Sequence, residues 1–359
     1  LKLKVEDKWE TVQSFALFSP RDMAEIRKSV AENDPYYTGL IELEHPTKGY
    51  KAGFSIMGTP DFSVNALENI VKAGHDVVGV ITQPDKPKGR GGKMQYTPVK
   101  EKALELGLDV YQPQRVKETE FIEKLKEMNP DAIVVIAFGQ ILPKAILDMP
   151  KYGCINVHAS LLPKYRGAAP IQWSVIDGEK ETGVTTMYMN EGLDTGDIID
   201  KVVVPIDKKE TGGSLFDKLA IEGGKLILKT LIELENGTAV RTPQDDSKSN
   251  YAGMINKQLG KIDFNKSANE IERLIRGLNP WPSAYTKMDG KTLKIWDADV
   301  DDSENDSAPG TITEVGKDFI RVATGKGSLK ILELQLEGKK RMKTRDFLNG
   351  AKIPDRMEG

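Results

Sequence analysis

The sequence predicts an α/β protein: a mostly parallel, Rossmann-like sheet covered on both faces by helices, then a smaller C-terminal β-barrel of OB-like character. Three observations predict it. Between residues 54 and 157, runs that are apolar throughout alternate with amphipathic stretches, the pattern of a parallel sheet buried on both sides. A long amphipathic stretch over 214–235 closes that region and leads into a polar, proline-containing segment. Beyond residue 257 the texture changes to short strand-like runs around a hairpin turn. A chain of 359 residues has room for about two domains of roughly 150 residues each.

Residues 1–53 are a leader of mixed charge and weak periodicity to which no role is assigned. Ser19 and Pro20 there predict the cap and first position of a helix running through Met23 to Val30. Leu1 to Glu6 lacks the apolar core of a secretory signal, and a start without methionine points to a processed or cloned chain. The region 54–240, the first domain, is predicted to open with a strand at Phe54 to Gly58. A helix from Ser63 to Ala73 follows, with Val64, Leu67, Ile70 and Val71 at helical spacing, and then a strand from Asp76 to Thr82. The alternation continues through a helix near Pro98 to Leu106, a strand at Val110 and Tyr111, and a helix from Phe121 to Met128. A strand from Ala132 to Ala137, a short helix at Pro143 to Leu147, and strands at Cys154 to Val157 and Val184 to Met189 complete it. Ligands of such sheets sit beyond the carboxyl ends of the strands. The helix over 214–235 ends at Asn236-Gly237, and 241–256 reads as a linker. In 257–359, a helix from Ala268 to Arg276 precedes two runs joined by Asp289-Gly290, a hairpin signature. Asp297 to Asp306 is acidic and reads as a mobile loop. Thr311 to Ile312, Phe319 to Val322 and Leu329 to Leu334 complete the small β-domain.

Composition narrows the function classes. No window holds the roughly 18 uncharged apolar residues of a membrane span, so no membrane partner is expected. The single cysteine, Cys154, excludes an intramolecular disulfide and any Cys-cluster metal site, which fits a reducing, cytoplasmic location. No other metal-ligand spacing occurs, so no metal is expected. With a net charge of −3, any nucleic-acid contact must come from local basic clusters.

The most informative stretch is Cys154 to Gly167. Asn156 and His158 stand two apart at a strand end, so they share a face and emerge at the sheet's carboxyl edge. One reading is an oxyanion hole, an amide donor beside an imidazole, as acyl transfer requires. The other is an imidazole satisfied by hydrogen bonds at a strand end. The chain has three histidines; His45 lies in the leader and His75 beside Gly74 in a predicted turn, both expected at the surface. In Asn190 to Asp197, glycines flank Asp194, which either holds the imidazole charged and accepts a proton or closes an Asx turn on its own backbone. Asp197 reads as a turn or strand-start residue. The loop Gln83 to Lys93 carries four basic groups among prolines and glycines, and is either a phosphate-backbone contact or a solvated connection. Cys154 reads as a buried strand thiol, and nothing near Ser160 supplies a base.

Together these stretches resemble the methionyl-tRNA formyltransferase family. The resemblance rests on Met57 to Phe62, the Gln83 to Lys93 loop, Ala137 to Pro143, Asn156 to Gln172, Leu193 to Asp197, Arg276 to Pro282 and Arg341 to Leu348, covering about 54–353. It implies the formyltransferase fold and a catalytic trio of Asn156, His158 and Asp194. It places the folate-binding segment on Ser160, Leu161, Leu162 and Pro163, with Phe138, Gly139 and Gln140 lining the pterin pocket. It assigns the tRNA acceptor end to Lys88, Arg90 and Lys93. Where relatives commonly have two lysines after Gly-Arg-Gly, this chain has Gly92 and Lys93. The implied reaction moves the formyl group of 10-formyltetrahydrofolate, a co-substrate, to the amine of methionyl initiator tRNA for translation initiation, in a cytoplasmic monomer. Two other readings stand beside it. A sugar-amine or purine-pathway formyltransferase, or a formylfolate hydrolase, would lack the basic loop and the C-terminal β-domain. A silent RNA- or folate-binding protein would bind ligand without forming product.

Overall fold

The computed structural model describes residues 2–5, 8–11, 53–88, 93–303 and 306–358. It divides into two units, residues 1–51 and 52–359. In the first, Lys2–Val5 and Lys8–Thr11 form an antiparallel hairpin. The helix predicted through Met23 to Val30, and His45, lie outside the described residues.

The second unit begins with a seven-stranded sheet. Its strands are β1 (Gly53–Gly58), β2 (Asp76–Ile81), β3 (Val110–Tyr111), β4 (Ala132–Ile136), β5 (Cys154–His158), β6 (Glu181–Tyr188) and β7 (Ile198–Pro205). Their order is β7-β6-β5-β4-β1-β2-β3. The strands from β5 through β3 are parallel, while β6 runs antiparallel to both β5 and β7. The buried strands divide their side chains between two layers with a period of two. Ile56, Val134 and Ile155 enter the apolar cluster under helices Phe62–Lys72 and Gly212–Glu235, while Met57, Ile133 and Cys154 enter the one under helix Thr119–Met128. Local chemistry sets the helix starts. Thr97 accepts from Lys100 N, with Pro98 at the first position, and Thr211 and Ser214 form a capping box. Helix Gly212–Glu235 buries Leu215, Leu219, Ile227 and Leu231 completely, each contributing roughly 1.5–3 kcal/mol of transfer free energy.

The C-terminal sheet holds β8 (Ala284–Met288), β9 (Lys291–Asp301), β10 (Ile312–Val315), β11 (Ile320–Ala323) and β12 (Ser328–Leu336), in the order β8-β9-β12-β11-β10. Asp289 and Gly290 both have positive φ, as the hairpin turn requires. The tail bridges the two outer strands: Glu358 exchanges backbone hydrogen bonds with Lys287 of β8, while Asp355 and Met357 bond to Ile312 and Gly310 beside β10. This seam gives the antiparallel sheet its barrel-like closure.

Two expectations are corrected. Asp297 to Asp301 is strand, not loop; it continues β9 beside β12 across a register shift, and its acids face the cations Lys209, Arg321 and Lys330. Paired with cations, the acid run loses the repulsion that made it read as a loop. Residues 241–252 are not a free spacer: Thr242 bridges Ile198, and Tyr251–Ala252 runs parallel to Arg166–Gly167.

Candidate active site

Asn156 and His158 project from the end of β5 and are 9% and 6% exposed. They share a face and line a cleft of about 620 Å³ at the carboxyl edge of the sheet. His158 Nε2 lies 2.8 Å from the Tyr165 carbonyl oxygen. A carbonyl only accepts, so Nε2 carries the hydrogen and Nδ1 faces the site. Tyr165 presents that carbonyl from a left-handed backbone, φ +59°. Its hydroxyl is held 3.0 Å from both Asp177 and Glu179, and burial followed by Asp177 pushes its pKa up.

Asp194 arrives from the β6–β7 connection, also with positive φ, +53°. Its Oδ2 accepts from Gly167 N at 2.8 Å and lies 3.7 Å from His158 Nδ1; its Oδ1 accepts from Asn156 Nδ2 at 3.4 Å. The carboxylate therefore reaches across the chain. The Asx turn at this bend belongs instead to Asn190, whose Oδ1 accepts from Gly192 N and Thr195 Oγ1. Gly196 is needed beside it, because a Cβ there would meet the Tyr188 carbonyl oxygen at 1.7 Å. Asp197 precedes β7, and its carbonyl accepts from Tyr188 N. An amide, an imidazole and a carboxylate thus converge on one cavity. That arrangement can stabilise a developing oxyanion and receive a proton.

Phe138, Gly139 and Gln140 also line the cleft, at the end of β4. Gln83 Nε2 donates to the Phe138 carbonyl, and Gln140 Oε1 accepts from Val116 N, so both walls of this turn are pinned. Ser160, Leu161, Leu162 and Pro163 are not among the lining residues. The Ser160 hydroxyl is engaged with the Lys164 carbonyl at 2.6 Å, and Leu162 is fully buried beside Met187 and Ile198. This segment shapes the wall from behind.

The basic loop forms a short hairpin in which Lys88 pairs with Lys93, and Arg90 lies outside the described residues. Its base is fixed by Lys100, which donates to Asp85 and Gln112 and holds the Asp85 carboxyl below its ordinary range. His75 departs from expectation: its side chain is 8% exposed, packs edge-on against Phe54 at 4.9 Å and stands 3.6 Å from Glu235. Cys154 is buried, which pushes its thiol up to about 12. Sequence reasoning missed Gly167, Phe216 and Tyr251, which complete the cleft. Their positions in the chain carry no periodic signal, since each is brought in from a different element.

A fold of this topology, with an amide, an imidazole and a carboxylate in one cleft at the sheet's carboxyl edge, has the makings of a group-transfer enzyme. The formyl transferase family matches residues 51–231 and the formyl transferase C-terminal domain matches 254–352; the chain belongs to the formyl transferase family. Methionyl-tRNA formyltransferase of Agathobacter rectalis is 61% identical over 299 residues, covering 83% of this chain and 96% of that protein. The enzyme of the same name from Lachnospira eligens is 57% identical, with the same shares covered. Among solved structures, an N-formyltransferase from Helicobacter canadensis superposes with a TM-score of 0.58 at 22% identity, over 80% of this chain and 99% of that one, which shows the shared fold.

Proposed function

We propose that this chain is a methionyl-tRNA formyltransferase, transferring the formyl group of 10-formyltetrahydrofolate to the free α-amine of methionyl initiator tRNA. The observation that carries the reading is the convergence of Asn156, His158 and Asp194 in one cleft, in a chain 61% identical to a protein of that name. The cleft volume lies within the usual range for small-molecule sites, roughly 300–1,000 Å³, and the apolar ring of Phe138 in its wall suits a flat pterin.

The α-amine attacks the formyl carbon on N10, and the carbonyl oxygen becomes the oxyanion. Asn156 Nδ2 and a proton on His158 Nδ1 stabilise it. Asp194 takes the proton released by the attacking nitrogen, directly or through water. Collapse breaks the bond to N10, which recovers a proton, and leaves N-formylmethionyl-tRNA and tetrahydrofolate. Holding two large substrates in register supplies much of the acceleration.

In this reading 54–240 is the catalytic domain, 241–256 joins it to the C-terminal β-domain of 257–359, and the latter carries the tRNA stem. Lys88, Arg90 and Lys93 engage the acceptor end, and Ser160 to Pro163 support folate. The protein acts as a cytoplasmic monomer; among the described residues no helix is long and apolar enough to cross a membrane. The test is formylation with 10-formyltetrahydrofolate and charged initiator or elongator tRNA. Formyl-methionine on the charged initiator supports the reading. Formylation of a nucleotide sugar with none on tRNA overturns it.

A further inference from the structure

The segment 241–252 reaches both halves of the polar cluster without lining the cleft, Tyr251 excepted. Gln244 donates both amide hydrogens to the turn that carries Asp194, one to the Asp194 carbonyl at 2.8 Å and one to the Gly196 carbonyl at 2.7 Å. Its oxygen accepts from Arg166 Nε and Nη2 at 3.1 and 2.8 Å. Every hydrogen-bonding position of that amide is therefore engaged, and the assignment of its nitrogen and oxygen follows from the partners. Six residues on, Asn250 Oδ1 accepts from Tyr165 N at 2.5 Å, and the Asn250 carbonyl accepts from Arg166 N at 3.1 Å. Tyr165 is the residue whose carbonyl receives His158 Nε2–H.

Close approach of this segment, a strap over residues 241–252, is built into the backbone. Gly167 has a φ of +115°, and a Cβ there would meet the Tyr251 ring at 2.7 Å and the Ala252 carbonyl oxygen at 2.8 Å. The same Gly167 donates its N–H to Asp194 Oδ2. Two left-handed residues, Tyr165 and Asp194, thus present the groups facing His158, and each is clasped by one strap side chain.

We infer that the strap is a positioning device for transfer, in which Gln244 sets the Asp194 turn and Asn250 sets the Tyr165 carbonyl and, through it, the His158 ring. Both are positioning residues, since neither lines the cleft. The inference rests on the trio proposed above and adds that the joining segment completes it.

The experiment uses the full chain with 10-formyltetrahydrofolate and charged initiator tRNA, reading kcat, the Kd for the folate and the melting temperature. Gln244→Glu keeps shape and the Arg166 contact but removes both donors and sets a carboxylate against two carbonyls. Asn250→Ala removes the acceptor for Tyr165 N–H, whereas Asn250→Asp keeps one. Gln244→Glu and Asn250→Ala are expected to lower kcat about 10–100-fold, the scale of a small misplacement at a reacting centre, with folate Kd unchanged. Asn250→Asp is expected to restore kcat. Unchanged kcat in Gln244→Glu and Asn250→Ala, beside an inactive Asp194→Asn, overturns the strap's role and leaves the trio standing. A parallel loss of kcat, folate binding and melting temperature, with no rescue by Asn250→Asp, reduces the strap to scaffolding and also overturns it. Normal turnover in Asp194→Asn removes the trio and this inference with it.

Discussion

Replacing Asp194 with asparagine isolates the charge of the carboxylate from its shape. The two carboxylate oxygens accept from two donors, Gly167 N at 2.8 Å and Asn156 Nδ2 at 3.4 Å, and one of them stands 3.7 Å from His158 Nδ1. The asparagine can keep its oxygen on Gly167 N–H, the shorter of the two hydrogen bonds, so the turn stays anchored. It cannot supply the charge that faces Nδ1 when the imidazole is protonated. Two unit charges 3.7 Å apart interact by about 4 kcal/mol at an effective dielectric of about 20. If that attraction is fully realised only as charge develops during transfer, the loss in kcat is about 1,000-fold. Folate binding draws on the apolar wall and is expected to hold, and the melting temperature to move by about 2 °C or less, since roughly 1 kcal/mol shifts a domain of this size by 2–4 °C. The assay is single-turnover formylation at saturating 10-formyltetrahydrofolate, alongside a fluorescence titration of the folate. Turnover within about tenfold of the parent, against the thousandfold loss expected, would refute the reasoning, because the carboxylate would then not face a charge in the transition state.

Gly196→Ala places a Cβ against the Tyr188 carbonyl, so the Asp194 turn must shift; kcat is expected to fall about 100-fold with folate affinity kept, and unchanged kcat would show that the turn relaxes harmlessly. Removing residues 355–359 deletes the tail that joins β8 to β10 and the buried Met357, and the C-terminal domain is expected to lose about 2–5 kcal/mol in denaturant titrations. Cys154, pushed up to about 12 by burial, stays a thiol in the native protein at pH 8, so alkylation in water should follow unfolding rather than native exposure. The same shift has a sign for stability. Above the unfolded thiol value of about 8.5, the unfolded chain binds fewer protons than the native one, so stability falls as pH rises from there towards 12. A Cys154→Ala variant should lose less stability than the parent over that interval.

Much of the fold was legible because its chemistry is local. Runs such as Ala132 to Ile136 are apolar at every position, and Thr97-Pro98 or Ser267 with Glu270 mark helix starts within one turn. The pair Asn156 and His158 was legible for the same reason, as a period of two fixes a shared face. Asp194 was not decidable from its own loop. Two residue types able to close an Asx turn stand four apart, and only the folded chain shows that Asn190 closes it and frees Asp194. Asp297 to Asp301 misled because its composition argues for repulsion, while Lys209 and Lys330, distant in sequence, neutralise it. His75 misled because Gly74 suggested a surface turn, whereas Phe54 and Glu235 enclose the ring. The partners of Gln244 and Asn250 lie 48–85 residues back along the chain, and no periodicity encodes such a return.

The parallel ladder between Arg166–Gly167 and Tyr251–Ala252 also fixes where the polypeptide can be divided. A cut near residue 240 looks natural, since it falls after the long helix and before the second core. It would nevertheless sever Gln244 and Asn250 from the groups they clasp. Chimaeras between relatives should therefore exchange halves after residue 253, so that the clasp and the turn it holds descend from the same parent.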